Sequence, residues 1–416
     1  MSSSQSRRDF LAGASCATLF LALPACGNST QSSGHDKPPM PLTKGPWVSL
    51  TSATSARLRF ETLEARAASV TLRFDGTSQK KTPALSQKTL TYHWADALVF
   101  SAGAPPDAPG LHVLQDVAIE GLTPGQTYQW EVNLGGGDVR KGSFRAPPPA
   151  SDAVRIGWIA DTMYPAYKTP IASLLDAAPD VVVHGGDIQY QTNPIDTWNG
   201  LFQAMSGLNA LAPLQIIVGN HEFESENEIQ VMFDRLTGGQ WGSSDKERYG
   251  SFRYGPALVV CLDSESSGLE DPTSAQRKWL EPLLENPGAK AVIVAFHRPL
   301  YTLSKYWRSD GASRDALHAL FLKYGVRLVM SGHAHCYEHF LVDSVHYVVD
   351  GGGGALLYDP RVGAADVDAA RPGESKLQLT ALKSQGACTI DVAPDGSMNV
   401  KRLSASGADD AFSVTA

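Results

Sequence analysis

The sequence predicts two domains, a β-sandwich followed by a layered α/β domain. The chain has 416 residues, too many for a single small hydrophobic core. From residue 46 onward, short runs such as "ARLRFETL" and "SVTLRF" alternate apolar and polar residues and are separated by turn residues. After the stiff segment Pro147–Ala150, strand-like apolar runs alternate with helical ones, which is typical of α/β layers.

Residues 1–26 have the pattern of an export signal. Arg7 and Arg8 precede an apolar stretch of about fifteen residues, which is short for a membrane span of ~20 residues and suits a signal peptide. The paired arginines resemble a twin-arginine signal, and "LPAC" resembles a lipobox with Cys26 as the lipidated residue. Pro24 is unusual in that box, so cleavage without lipidation stays open, as does an ordinary buried helix. We expect export from a bacterial cytoplasm to the periplasm or cell surface, with a lipid anchor in the membrane.

Residues 27–147 predict a flexible linker followed by the β-sandwich. Residues 27–45 are polar and rich in Ser, Pro and Gly, as in a flexible linker. Residues 46–147 contain about seven short strand patterns, which favours a β-sandwich. The stretch "IEGLTPGQTYQWEV" resembles the corner between strands E and F of a fibronectin type III domain, where a tyrosine follows a Leu-x-Pro-Gly turn.

In residues 152–416, five strand-like runs lead to side chains that can bind a metal ion. These are Asp161, Asp187, Asn220, His297 and His333. Functional groups of open α/β sheets gather at the carboxyl ends of strands. One such histidine is more often a hydrogen-bonded support, but five matching strand ends are hard to explain by packing. Carboxylate and imidazole ligands suit iron, zinc or manganese, and the lack of a cysteine among them argues against a structural zinc site.

The segment "SGHAHCYEH", Ser331–His339, has three histidines in nine residues. Gly332 allows the backbone to turn sharply at the end of a strand. Residues two apart point to the same side of an extended segment. The segment therefore predicts that His333 and His335 face one pocket.

Five motifs in this order resemble the metallophosphoesterase signature: "AD" at 160–161, "GDIQY" at 186–190, "GNHE" at 219–222, "AFH" at 295–297 and "GHAH" at 332–335. Tyr190, three residues after Asp187, resembles the purple acid phosphatase branch of that family. The resemblance implies a four-layer α/β domain, in which two mixed sheets are flanked by helices. Met163 departs from the usual Gly-Asp-x-Gly motif, so the loop around Asp161 must have a different shape.

The resemblance also implies a binuclear metal centre. One metal, ferric iron, would be held by Asp161, Asp187, Tyr190 and His335. The other, a divalent zinc, iron or manganese ion, would be held by Asp187, Asn220, His297 and His333. Asp187 would bridge the two ions, and Glu222 has no ligand role in the family pattern.

The implied activity is hydrolysis of phosphate monoesters by a metal-bound hydroxide, as in an acid phosphatase. His221 is the candidate proton donor to the leaving group, or else a residue that orients a ligand. Arg298 is a possible substrate contact, although Pro299 also suggests a fixed turn. His339 is a further possible contact; it stands where the family often has an arginine.

Two rival functions stay open at this point. The same metals could serve a phosphodiesterase or nucleotidase, since substrate choice lies in loops such as residues 301–315. Alternatively, the chain could be a surface binding protein with an inactive hydrolase domain, although the complete ligand set argues against this. The expected partner is a small phosphoester. With 35 Lys+Arg against 43 Asp+Glu, the sequence gives no sign of a nucleic-acid surface, and it leaves the oligomeric state open.

Overall fold

The first eight strands of the computed structural model form a sandwich of two antiparallel sheets. The structure describes residues 41–74, 80–81, 85–90, 112–188, 200–223, 248–265, 268–304 and 311–416. The predicted signal, Cys26 and Tyr190 lie outside the described residues. The strands are β1 Leu42–Ser52, β2 Ser55–Thr62, β3 Ser69–Phe74, β4 Lys80–Lys81, β5 Leu85–Leu90, β6 His112–Glu120, β7 Thr127–Gly135 and β8 Asp138–Arg145. The sheet orders are β1-β2-β6-β5 and β4-β3-β7-β8.

The alternating pattern of the sandwich strands places apolar side chains between its sheets. In β7, Tyr128, Trp130 and Val132 are buried while the residues between them are only partly covered. The Tyr128 hydroxyl accepts a hydrogen bond from the backbone N–H of Thr123 at 2.8 Å, which fastens the predicted corner. Strand β1 begins at Leu42, so the predicted linker of residues 27–45 is too long at its C-terminal end by four residues.

The second part of the chain has two mixed sheets. The six-stranded sheet has the order β11-β10-β9-β19-β20-β21 and the seven-stranded sheet the order β12-β13-β14-β15-β17-β16-β18. The strands of the first are β9 Val154–Ile159, β10 Val181–His184, β11 Leu214–Ile216, β19 Ala387–Val392, β20 Met398–Ser404 and β21 Gly407–Val414. Those of the second are β12 Gly250–Tyr254, β13 Ala257–Cys261, β14 Ala291–Ala295, β15 Leu328–Ser331, β16 Tyr337–Val342, β17 Val345–Asp350 and β18 Gln378–Leu382.

Helices cover the outer faces of both sheets. They are α1 Lys168–Ala177, α2 Ser206–Asn209, α3 Ala275–Glu285, α4 Gly311–Lys323 and α5 Ala364–Ala370, with 3-10 helices at Asn220–Phe223 and Glu374–Leu377. Leu174 of α1 belongs to the cluster on the outer face of the six-stranded sheet, and Leu280 of α3 to that on the seven-stranded sheet. Between the sheets, Trp158 of β9 and Ile293 of β14 share one core. The predicted helix–sheet–sheet–helix layering is therefore confirmed.

The sandwich and the α/β layers share a continuous core. Trp47 of β1 packs against Phe202 with ring centroids 4.8 Å apart. The side chain of Gln215 in β11 accepts a hydrogen bond from Leu50 N at 2.8 Å and donates one to Leu50 O at 3.1 Å. A buried amide that satisfies both backbone groups of one residue fixes the contact between the layers. The described residues of both parts accordingly belong to one compact unit.

Five strand ends meet along one edge of the paired sheets. Strands β9, β10 and β11 are parallel neighbours, as are β14 and β15. Their carboxyl ends carry the five predicted ligands, although each ligand lies two to four residues beyond the last strand residue. The distance past the strand matters, because it places the side chains in loops that can turn toward each other.

None of the helices described is both long and apolar enough to cross a lipid bilayer.

Candidate metal centre

Three of the predicted ligands have a backbone conformation that is uncommon for residues other than glycine. Asp161, Asp187 and His333 have φ angles of 59°, 53° and 67°. Left-handed backbone at a non-glycine residue costs on the order of 1 kcal/mol or more and clusters at functional sites. The expectation that residues 331–335 are extended was therefore wrong. His333 and His335 reach the same site through a left-handed turn and not through strand alternation.

Four ligand atoms surround one point beside His297. From His297 Nε2 the distances are 3.2 Å to Asp187 Oδ2, 3.2 Å to His333 Nδ1 and 3.2 Å to Asn220 Oδ1. Ligands at zinc–nitrogen distances in a tetrahedral shell are ~3.3 Å apart. The spacing thus matches a single coordination shell. Asp187, His297 and His333 also form the candidate metal group of the described residues, with ligand atoms within 4.8 Å of one another.

Asp161 and His335 lie beside this group and form the other half of the predicted centre. His335 Nε2 is 3.6 Å from Asp161 Oδ1. The other carboxylate oxygen of Asp161 accepts the backbone N–H of His333 at 2.8 Å. That hydrogen bond joins the loop after β9 to the loop after β15, so Asp161 links the two sheets. The structure therefore brings together six of the seven predicted ligands, and the seventh, Tyr190, lies outside the described residues.

Backbone carbonyl groups decide which imidazole nitrogen faces the centre. His297 Nδ1 is 2.8 Å from Gly185 O, and His335 Nδ1 is 2.9 Å from Leu356 O. A carbonyl only accepts, so each Nδ1 carries a proton, and in the neutral imidazole each Nε2 presents its lone pair. Tyr358 stacks on His335 with centroids 4.3 Å apart and fixes the ring plane. Orientation by such outer hydrogen bonds is usual for metal-binding histidines.

Two glycines leave room for the carboxylates. A Cβ atom on Gly219 would lie 2.3 Å from Asp187 Oδ1, and one on Gly332 would lie 2.5 Å from Asp161 Oδ2. Contacts this short would displace the carboxylates that face the centre. The glycines of "GNHE" and "GHAH" are thus required by close packing against the ligands.

The electrostatics of the cluster favour a cation. Burial alone would raise the pKa of Asp187, but the imidazoles of His297, His221 and His333 hold it well below its usual range. Burial would lower the pKa of His297, yet Asp187, Asp161 and Glu265 raise it to about 10. Burial lowers the pKa of His333 well below its usual range and that of His335 to about 4. Ionised carboxylates and neutral imidazoles are the forms that bind metals, and His333 and His335 are already neutral. The carboxylates hold a proton on His297, and a metal ion at this position would take the place of that positive charge.

Glu222 has a role in the site that sequence reasoning missed. Its buried carboxylate accepts backbone N–H groups from Gly219 at 2.7 Å, Asp187 at 2.9 Å and Ile188 at 2.9 Å. Burial and the nearby Asp187 charge raise its pKa to about 7. Glu222 therefore fastens the loop that carries Asp187 to the loop that carries Asn220. The sequence signal that could have found this role is the position of the glutamate, two residues after the predicted ligand Asn220.

Two of the three predicted substrate contacts lie at the cluster. His221 follows the ligand Asn220, and its Nε2 is 3.9 Å from Asp187 Oδ2. Its backbone N–H donates to Asp187 Oδ1 at 2.9 Å, which fixes the position of the residue. Arg298 places Nη1 3.0 Å from His333 Nε2, on the side of the ring away from His297.

His339 does not lie with them. Its Nε2 is 2.9 Å from His346 Nδ1, its Nδ1 is 3.3 Å from Asp410 Oδ2, and its ring stacks on Phe412. With both nitrogens engaged and the side chain 3% exposed, His339 fastens β16 and β17 to β21. The expectation that His339 contacts substrate is therefore corrected: a residue in strand β16 points where the sheet packing directs it.

Paired sheets with aspartates, histidines and an asparagine at their joined strand ends are consistent with the metallophosphoesterase domain that the motifs predict. The comparison with known families agrees, because residues 154–337 match the calcineurin-like phosphoesterase family. This range begins at β9 and includes all the predicted ligands. The chain therefore contains a calcineurin-like phosphoesterase domain.

Relatives of the chain include purple acid phosphatases. Purple acid phosphatase 22 of Arabidopsis thaliana is 27% identical over 240 residues, which cover 55% of this chain and 54% of the relative. A nucleotide pyrophosphatase/phosphodiesterase of Hordeum vulgare is 27% identical over 222 residues, covering 43% and 58%. The chain thus spans about half the length of these relatives.

A solved structure extends the likeness to most of the chain. The structure of a purple acid phosphatase from yellow lupin (Lupinus luteus) seeds has a TM-score of 0.69, at 16% identity. The match covers 89% of this chain and 74% of the lupin chain. At this identity the similarity establishes the fold, which includes the strand-rich N-terminal part as well as the paired sheets.

Proposed function

We propose that the protein is an exported phosphoesterase with a binuclear metal centre that hydrolyses phosphate monoesters. The observation that carries the proposal is the shell of atoms around His297 Nε2, which lies 3.2 Å from a carboxylate, an amide and an imidazole. A carboxylate, an amide oxygen and imidazoles that converge on one buried point are the ligand types that a metal ion binds. Asp161 and His335 supply ligands for a second ion next to the first.

Each ligand residue has a defined part in this proposal. Asn220, His297 and His333 would hold a divalent ion, Asp161 and His335 a ferric ion, and Asp187 both. When bound, the two ions supply Lewis-acid polarisation of the phosphoryl group and an activated water. Tyr190 is the proposed further ligand of the iron, on the resemblance alone. Zinc, iron and manganese are the candidates for the divalent ion.

His221 is the proposed proton donor. Cleavage of a monoester leaves an alkoxide, which needs a proton within hydrogen-bond reach. The His221 ring lies beside Asp187 and is partly exposed, so it can meet a leaving group that arrives from solvent.

The test combines metal analysis with a substrate panel. Purified protein should contain close to two metal ions per chain and hydrolyse p-nitrophenyl phosphate faster than bis(p-nitrophenyl) phosphate across pH 4–8. If iron is present, a Tyr190→Phe variant should lose a visible absorption band and retain its fold. Metal-free protein with no turnover would favour the binding-protein alternative. A faster diester reaction would favour the phosphodiesterase alternative, for which the barley relative is the supporting observation.

Export rests on residues 1–26 and is proposed from the sequence alone. Replacing both Arg7 and Arg8 by Lys should retain the protein in the cytoplasm, because the twin-arginine pair is the recognised feature. A Cys26→Ser variant should move the mature chain from the membrane to the soluble fraction. Unchanged fractionation of either variant would remove the corresponding part of the proposal.

A further inference from the structure

We infer that Arg298, held in place by Glu265, is an anion-binding side chain that contacts a phosphoryl oxygen of the substrate. The inference rests on the proposed function and adds a residue pair that the metal ligands do not include. Both residues follow the carboxyl ends of neighbouring parallel strands, Glu265 after β13 and Arg298 after β14. They therefore lie at the same edge of the sheet as His297 and His333.

Glu265 anchors the base of the guanidinium group. Arg298 Nε donates to Glu265 Oε1 at 3.0 Å and to Oε2 at 2.9 Å, and the Arg298 backbone N–H donates to Ser264 Oγ at 2.9 Å. The Glu265 side chain is 6% exposed, whereas that of Arg298 is 42% exposed. The carboxylate is fixed in the protein, and the guanidinium reaches from it toward solvent. An anchored guanidinium loses little rotational freedom when it binds an anion.

The contact between Arg298 Nη1 and His333 indicates what the Arg298 guanidinium binds when the metal is present. Nη1 lies 3.0 Å from His333 Nε2, and His333 Nδ1 faces the proposed metal shell. A neutral imidazole has one lone pair, so a His333 that binds metal through Nδ1 carries its proton on Nε2. Arginine only donates. Two donors 3.0 Å apart cannot hydrogen-bond to each other, so Arg298 Nη1 would turn to another acceptor nearby, and the oxygen of a bound phosphoryl group is one.

The geometry also bears on the choice of substrate. Among the described residues, Arg298 Nη2 has no polar partner within hydrogen-bond distance. A guanidinium can therefore meet two phosphoryl oxygens with its two terminal nitrogens. A monoester offers more unesterified, negatively charged oxygens than a diester. Arg298 should accordingly contribute more to monoester binding than to diester binding.

The experiment measures binding of inorganic phosphate to metal-loaded protein by calorimetry, together with kcat and KM on both ester types. Arg298→Gln should raise the Kd for phosphate by at least about tenfold, since a charge-assisted hydrogen-bond pair is lost. KM for the monoester should rise more than kcat falls. Arg298→Lys should recover only part of the affinity, because lysine cannot keep the bond to Glu265 and reach the site.

Glu265→Gln separates positioning from simple charge. Removing a negative charge near the site would tighten phosphate binding if Arg298 acted through its charge alone. If Glu265 positions the guanidinium, phosphate binding should weaken several-fold instead. Arg140→Gln is the matched control, because Arg140 pairs with Asp138 through Nε at 2.8 Å in the sandwich. Its phosphate affinity should equal that of the wild type.

Two results would overturn the inference. These are a phosphate Kd within twofold of wild type in Arg298→Gln, or tighter binding in Glu265→Gln, with metal content and thermal unfolding unchanged. Both outcomes would leave the proposed phosphoesterase activity intact. A wild type that binds phosphate through Arg298 but hydrolyses no phosphoester would instead retain the inference and end the proposed function.

Discussion

Two buried glutamates of the α/β domain, Glu222 and Glu338, each accept several hydrogen bonds, but they hold different parts of the chain in place. Glu222 accepts three backbone N–H groups, all from the two loops that carry Asp187 and Asn220. Glu338 accepts Leu303 N at 2.7 Å, Thr302 Oγ1 at 2.6 Å and the Gln378 side chain at 2.9 Å. The first glutamate holds the predicted metal ligands, and the second holds Thr302 and Leu303, just before the undescribed residues 305–310. The predicted substrate loop at residues 301–315 is in part helical, because helix α4 begins at Gly311.

The partners also differ in whether they can adapt. The backbone N–H groups around Glu222 can only donate. If glutamine replaced Glu222, its side-chain NH₂ group, also a donor, would face one of them. The Thr302 hydroxyl at Glu338 can rotate and accept instead. The carboxylate of Glu222 is therefore harder to replace than that of Glu338. The following predictions test that contrast, beginning with removal of a ligand.

The largest effect should come from His333→Ala. This change removes an imidazole from the shell around His297 Nε2. Turnover should fall by more than about 100-fold, since even outer partners of ligands cost 10–100-fold. Metal content should fall as well, measured by elemental analysis. His339→Gln is the control: His339 lies in the contact of β16 with β21, so metal content should be kept. Full metal occupancy and activity in His333→Ala would contradict the assigned site.

A smaller but still large effect is expected from Glu222→Gln. At least one of the three backbone donors at Glu222 would face the new NH₂ group. Metal affinity, measured by titration with a chelator, should fall about 10–100-fold. Excess metal should restore much of kcat, because the ligands themselves remain. Glu338→Gln should leave metal affinity within a few-fold of wild type and raise KM. Equal loss of metal from both variants would remove the distinction between the two glutamates.

The smallest effect should appear in the pH dependence of stability. Burial raises the pKa of Glu338 to about 7, so the stability it contributes is present below its ordinary value of 4.5 and is lost as pH rises toward 7. Burial lowers the pKa of His339 to about 4, so its contribution is present above 6.5 and is lost as pH falls toward 4. Between pH 4.5 and 6.5 the two residues oppose each other.

The two variants should therefore change the acid sensitivity in opposite directions. On lowering the pH from 6.5 to 4.5, His339→Gln should lose less stability than wild type and Glu338→Gln should lose more. Each difference should be on the order of 1–3 kcal/mol, from about 1.4 kcal/mol per pH unit. Thermal unfolding at pH 4.5, 5.5 and 6.5 is the measurement. Parallel curves for all three proteins would show that neither residue changes its protonation on folding.

Much of the fold could be predicted because its determinants are local. Alternating apolar residues gave the sandwich strands, and the repeated strand and helix patterns gave the layered α/β domain. The boundary of the sandwich was misplaced because Leu42–Gly45 are paired by contacts with β2, which a polar local sequence does not reveal. His339 was misassigned for a similar reason, since its direction depends on β21, about seventy residues later in the chain.

The sequence by itself determined the chemical types of the ligands and their order along the chain, because polar residues after buried strands are visible as local patterns. Only the tertiary structure decided how those residues act. The carbonyl groups of Gly185 and Leu356 select the imidazole nitrogens, and Glu222 joins the ligand loops. Glu265 directs Arg298 toward His333. Hydrogen bonds depend on distance and angle between groups that folding brings together, and residue order alone does not specify that geometry.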